Sequence, residues 1–195
     1  SIKQSAQKVI EDEKMDVTAH LVNGVCDVLK SEINNPTQQF NLGNPETVNC
    51  PNGQLELDDG FWQLKLHKKD EYRTTQIPVV YDKAATAPKF LQFMSEIFCS
   101  DPDKDDKVEC ILQMMGYTLM TNSQREKFIM LIGSGATGKS VFLAVLAAIC
   151  GTENIAGVQP SQFDRTFQRA ELHHRLANIV TELSEGEKLA DAELK

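Results

Sequence analysis

The sequence predicts an α/β chain, in which an N-terminal helical part with a small β-hairpin precedes a parallel sheet with flanking helices. Three observations carry this reading. Apolar residues recur at helical spacing over residues 2–33 and again after Pro88. Around Asp58-Asp59-Gly60 they alternate instead. Later, an unbroken apolar run, Phe128-Ile129-Met130-Leu131-Ile132, leads through a glycine-rich turn into one more apolar helical stretch.

In chain order, Val9, Ile10, Leu21, Val22, Val25, Val28, Leu29 and Ile33 predict two helices broken near Lys14 to Asp16 and ended by Asn34-Asn35-Pro36. Turn residues at Gly43-Asn44-Pro45 and Pro51-Asn52-Gly53 frame Leu55-Glu56-Leu57. Asp58-Asp59-Gly60 then turns the chain into a strand with Trp62, Leu64 and Leu66 at alternate positions, a hairpin signal. The alternation makes Trp62 a packing anchor rather than a base-stacking platform. Pro88 opens a helix bearing Phe90, Leu91, Met94, Ile97 and Phe98, and a further helix carries Val108, Ile111, Leu112, Met115 and Leu119 on one face. Between them, Asp101-Pro102-Asp103-Lys104-Asp105-Asp106 has acids without calcium-loop spacing: the sixth and twelfth positions, which need Gly and Glu, hold Asp106 and Leu112. These acids suit the start of a helix.

The run Phe128 to Ile132 predicts a strand buried on both faces of a parallel sheet. Gly133-Ser134-Gly135-Ala136-Thr137-Gly138-Lys139-Ser140 follows it with the unsubstituted spacing G-x-x-x-x-G-K-S. In such a loop, Gly133, Gly135 and Gly138 let backbone N–H groups curl inward around phosphate oxygens. Lys139 reaches the β- and γ-phosphates, and the Ser140 hydroxyl holds a Mg²⁺ ion bridging them. The helix that follows, with Val141, Phe142, Val145, Leu146 and Ile149, aims its positive end at the anion and ends at Gly151. Hydrolysis needs a second acid on a neighbouring strand. Leu176 to Glu182 is a strand-like run ending in a carboxylate, which makes Glu182 the candidate. Thr181 stands where many ATPases have Asp, and leaves open whether Glu182 organises the metal, acts as general base, or does both.

Composition bounds the function. The 195 residues suffice for two small domains, divided here into 1–120 and 121–195. The net charge of −8 is uneven: residues 1–120 hold 12 basic and 19 acidic side chains, residues 121–195 hold 8 and 9. Neither part is a basic platform for nucleic acid, so any such contact must be local or supplied by assembly. No stretch approaches the roughly 18 apolar residues of a membrane span, and no secretory signal is visible, so a cytosolic or intracellular setting is expected, which the resemblance given below narrows to the cytoplasm of a bacterial or viral host cell. Five scattered cysteines read as reduced thiols, and His173-His174, with no cysteine nearby, reads as a polar step before a strand.

The ordered set Asn52-Gly53-x-Leu55-x-Leu57, Ile77-Pro78-Val79-x-Tyr81-Asp82, Gly116-Tyr117-x-Leu119, the loop, and Arg175-Leu176-x-x-Ile179-x-x-Glu182 resembles the phage, plasmid and poxvirus-type primase-helicases, a branch of the superfamily III helicases. The resemblance spans roughly residues 45–195. It implies a collar-like helical and β-hairpin domain ahead of an AAA+-like ATPase core, with ATP and Mg²⁺ at the loop and Glu182 as the Walker B carboxylate. It also implies rings, usually hexamers, that move along single-stranded DNA, often with a primase domain further N-terminal. In the family, Asp191 to Lys195 would lead into a DNA-contacting hairpin, a sensor residue and an arginine finger. On that reading the chain is a truncated fragment that binds nucleotide and hydrolyses it weakly. Two rivals stand beside it. A small-molecule P-loop kinase would use Arg165, Arg169 and Arg175, interleaved with Phe163 and Phe167, as a lid, although that cluster suits a helix joining two core strands. A non-enzymatic assembly module would carry an incomplete ATPase site.

Overall fold

A computed structural model of the chain describes residues 2–182. The chain divides into two compact units, Ser1–Gln39 and Phe40–Lys195. The boundary expected at residue 120 falls within the second of these.

The first unit is a helical hairpin. Helix α1 (Ile2–Asp12) and helix α2 (Ala19–Ile33) flank the break expected near Lys14, and Asn34 caps α2. Thr18 starts α2 because its Oγ1 accepts the Leu21 N–H at 3.1 Å, satisfying one of the donors that a first turn leaves open. Ala6, Ile10 and Cys26 are buried.

The second unit is mixed α/β. Strands β1 (Val48–Cys50), β2 (Gly53–Asp58) and β3 (Phe61–Lys65) form an antiparallel sheet in that order. Asp59 and Gly60, both at positive φ, make the two-residue turn between β2 and β3, and the register pairs Asp58 with Phe61, Leu57 with Trp62 and Leu55 with Leu64. The hairpin matches the expectation, but the packing role of Trp62 does not. Trp62 is 42% exposed and Leu64 39%, because only the β1 side of the sheet meets a core, formed by Val48, Cys50 and Ile77 with Leu55, Tyr81 and Leu176 against it.

The opposite face of the sheet is polar and held by ion pairs. Arg73 Nη2 lies 2.8 Å from Glu71, Lys68 joins Glu71 at 3.3 Å to Glu56 at 2.7 Å, and Lys65 lies 3.0 Å from Asp58. Burial pushes the Glu71 carboxyl upward, but the hydrogen bonds and charges of Arg73 and Lys68 outweigh it and hold it below the usual range. For Glu56, the hydrogen bond from Lys68 is the leading cause of a lowered value. A carboxyl depressed in the folded state contributes stability above its unfolded pKa of about 4.3, and that contribution is lost as pH falls through the lower folded value. Melting temperature is therefore expected to fall on acidification below that point, and the acid-side slope to shrink in the paired variant Glu71→Gln, Arg73→Met. An unchanged slope in that variant would show that these pairs carry none of it.

Helix α3 (Pro88–Ile97), helix α4 (Lys104–Thr118) and helix α5 (Lys139–Cys150) pack around Met94, Met115, Phe142, Leu146 and Cys150. Phe142, Leu146 and Cys150, one turn apart, give α5 its buried stripe, and Gly151 caps it. At the start of α4, Lys107 Nζ lies 2.7 Å from Asp101 and 2.9 Å from Asp103, so the acidic turn is tied by its own cation. Strand β4 (Ile155–Ala156) pairs in parallel with β5 (Ala177–Asn178), and helix α6 (Thr166–Ala170) lies between them in the chain. This is an α/β crossover in miniature, with the arginine-phenylalanine cluster in the connection.

The strand expected at Phe128 to Ile132 is absent. Its residues are irregular, Phe128 is 66% and Ile132 86% exposed, and only Leu131 packs against the helical core. A parallel strand is held by neighbours on both edges, and no described residue forms a backbone hydrogen bond with this run. All five cysteines are free thiols; Cys26, Cys50 and Cys150 are buried, and Cys99 and Cys110 exposed. Among the described residues, no helix is long and apolar enough to cross a membrane.

Candidate functional site

The turn from Gly133 to Ser140 is shaped at its far end. Gly138 sits at φ 85°, as the residue before α5, and Ala136 at φ 60°. Two left-handed residues on either side of Thr137 fold the loop back on itself. Gly133 and Gly135 were expected to share this conformation, but neither has positive φ; Ala136, a residue with a Cβ, takes the left-handed position instead. What Gly138 supplies is also space. A Cβ there would lie 2.9 Å from Ile97 Cγ2 and 3.0 Å from Phe93 Cε2, so α3 forms the floor on which the loop rests. A Cβ at Gly135 would meet nothing within 4 Å, which leaves the mouth open.

Lys139 is gathered over that mouth. Its Nζ donates to Gly133 O at 2.9 Å, Ser134 O at 2.7 Å and Thr137 Oγ1 at 3.0 Å, while the Thr137 hydroxyl donates to Ser134 O at 3.0 Å. All three ammonium donors are thus satisfied by the loop itself. Phe142 N–H is the first in the helix to reach a carbonyl, that of Gly138, at 3.0 Å. The N–H groups of Lys139, Ser140 and Val141 precede it and have no intrahelical acceptor, so the positive end of α5 faces the loop. Ser140 is exposed on this first turn. An ammonium, open helix N–H groups and an exposed hydroxyl suit a polyphosphate and its Mg²⁺ ion, and no carboxylate stands in the loop to repel them.

Glu182 is placed less decisively. The strand expected over Leu176 to Glu182 is paired only at Ala177 and Asn178. Asn178 then clamps the chain, with its Oδ1 accepting from Val158 N and its Nδ2 donating to Val158 O, both at 2.8 Å. Glu182 lies beyond this, exposed, its backbone carbonyl accepting from Gln159 Nε2 at 3.3 Å. No hydrogen bond or ion pair joins it to Lys139 or Ser140. The expected lead-in at Asp191 to Lys195 lies outside the described residues. The rings of His173 and His174 lie with centroids 3.7 Å apart, tilted by 56°, and His174 Nδ1 lies 3.2 Å from Thr74 Oγ1. No group of three or more His, Cys, Asp or Glu among the described residues is placed to hold a metal ion. Sequence reasoning placed Thr137 in the loop without giving its hydroxyl a role, and missed the α3 pair Phe93 and Ile97. A hydroxyl two residues before the lysine was a visible signal for the first, whereas nothing local marks the second.

Residues 2–99 match a family model described as D5 N terminal like, over half of the chain. The chain belongs to that family. The D5 N terminal like domain is found in phage and poxvirus D5-type primase-helicases. Its match takes in the three-stranded sheet and α3, including the residues that floor the loop. Residues 131–195 match a second model, described as a family of unknown function (DUF5906), which takes in the loop and Glu182. No curated protein matches this D5 N terminal like chain.

Proposed function

We propose that this chain is part of a replicative, ATP-dependent DNA helicase of the primase-helicase kind, with residues 1–120 as a collar-like domain and residues 121–195 as part of an AAA+-like ATPase core. The observation that carries the reading is the lysine-threonine-carbonyl cluster at the N-terminus of α5, in a chain whose first half belongs to the D5 N terminal like family. In this reading Gly133, Ser134, Gly135, Ala136, Thr137 and Gly138 wrap ATP, Lys139 exchanges its carbonyl partners for phosphate oxygens, and the first N–H groups of α5 hold the same anion. The Ser140 hydroxyl and Glu182 would hold Mg²⁺, directly or through water, and Glu182 would orient or deprotonate the attacking water. The ion, when bound, would supply neutralisation of charge on the β- and γ-phosphates. The working assembly is a ring, with a hexamer as the expected form, that translocates on single-stranded DNA, and a primase domain in the parent protein fits the same reading.

The test is ATP binding by the purified chain with Mg²⁺ and with EDTA. Tighter binding with Mg²⁺ is expected, with most of that gain lost in Ser140→Ala and part of it in Glu182→Gln. Equal affinity in both buffers, or a gain that survives both substitutions, rejects the assigned metal ligands. Phosphate transfer from ATP to a nucleoside rather than to water would favour the kinase alternative.

A further inference from the structure

We infer that the free edge of β3 is a docking groove for an extended peptide segment of a partner protein, one with apolar residues at alternate positions and a basic end. The register and the turn determine which backbone groups are bare. In a hairpin closed by a two-residue turn, the pair flanking the turn is hydrogen-bonded, here Asp58 with Phe61, and the pattern then alternates along the strands. Gln63 and Lys65 therefore spend their N–H and C=O groups on β2. Trp62 and Leu64 point theirs outward, and no described residue pairs with them. The other edge of the sheet is covered: Ile77 N–H donates to Asn49 O at 2.9 Å, and Asn49 Nδ2 donates to Thr75 O at 2.8 Å.

Beside the bare edge runs an open groove of about 480 Å³, lined by Trp62, Gln63, Leu64, Tyr81, Asp82 and Lys83. Its far wall is braced. Asn52 holds the Tyr81 backbone from both sides, with Nδ2 donating to Tyr81 O at 2.9 Å and Oδ1 accepting from Tyr81 N at 3.0 Å. The side chains of Trp62 and Leu64 share one face of the sheet with Leu57, 47% exposed, and Leu66, 86% exposed, lies just past the strand. Natural edge strands are usually blunted by charge or proline. This one keeps an apolar row beside unpaired donors and acceptors, the combination that strand addition uses: backbone bonds for affinity and alternate side chains for specificity.

Size and charge select the occupant. A stable dimer engages about 20 to 30 residues on each side, and this groove offers a small fraction of that, which suits a single strand rather than a second copy of the chain. Asp59 at the turn is exposed and Asp82 lines the groove against Lys83, while Lys65 at the far end of β3 is already paired with Asp58 and Glu56, so a polyanionic nucleic-acid backbone is disfavoured and a basic peptide end is favoured. Nucleotide binding at Lys139 plays no part in this inference.

Trp62 is the only tryptophan in the chain, so its fluorescence reports the groove directly. The probe is a capped peptide alternating valine and threonine with one terminal arginine. Its control is the same peptide N-methylated at alternate backbone nitrogens, which cannot pair along one edge. A saturable blue shift is expected, weakened at least about tenfold by N-methylation, with slowed hydrogen exchange at the Trp62 and Leu64 amides. Three results each overturn the inference: no saturable shift, equal binding of the methylated peptide, or the same shift and protection produced by an oligothymidylate. Concentration-dependent protection of those amides without peptide would assign the edge to a second copy and overturn it as well.

Discussion

Replacing Lys139 by alanine is expected to abolish measurable ATP binding, lowering affinity by about two orders of magnitude or more. A hydrogen bond to a charged group contributes roughly 1.5–3 kcal/mol, and Lys139 brings up to three donors to the phosphates. The substitution should leave the fold almost untouched. The carbonyls that Lys139 now satisfies, those of Gly133 and Ser134, are exposed and regain water when it is removed. Anisotropy of a fluorescent ATP analogue gives the affinity, and a thermal melt checks the fold. Lys139→Arg should recover only part of the binding, because a planar fork does not fit where a compact ammonium is gathered by three oxygens. An alanine variant that binds ATP as tightly as the parent chain would remove the phosphate-loop assignment.

The second large effect is expected at Met94, the residue that ties the D5 N terminal like segment to the helix of the loop. Met94 is fully buried among Met115, Phe142, Leu146 and Cys150. Met94→Ala removes packed atoms that the surrounding helices cannot fully replace, at a cost of about 2–5 kcal/mol. Leu91→Ala on the same helix is the comparison, since Leu91 is 48% exposed and its loss should cost at most roughly 0.5 kcal/mol. Urea unfolding measures both. Because Phe93 and Ile97 floor Gly138, the Met94 variant should also bind ATP more weakly at temperatures where it remains folded. Equal costs at the two positions would mean that α3 does not share a core with α5.

The sequence made some elements legible because their causes are local. The break between α1 and α2, the Asp59-Gly60 turn, the helix opened by Pro88 and the Gly151 cap each depend on a few adjacent residues, and each stands where the pattern put it. Elsewhere the pattern misled, for a single reason. Alternation at Trp62, Leu64 and Leu66 states that one face is apolar, but not that anything covers it. The apolar run Phe128 to Ile132 likewise states a capacity to be buried in a sheet, while pairing depends on strands distant in the chain.

The candidate site divides along the same line. By itself, the sequence determined the eight-residue loop, its lysine and serine, and the helix behind them, because backbone curl and helix polarity arise within a dozen consecutive residues. Only the tertiary structure decided that Ala136 rather than Gly133 or Gly135 takes the second left-handed turn, that Thr137 shares Lys139 with two carbonyls, and that Phe93 and Ile97 support Gly138. It also decided which strand edge stays bare, since Ile77 covers β1 from a distance in sequence and no described residue covers β3. The floor under Gly138 and the bare edge rest on packing between segments far apart in the chain, where the shape of the partner, and not the local pattern, sets the conformation of least free energy, while the Ala136 turn and the Thr137 contact are settled by three-dimensional geometry within the loop itself.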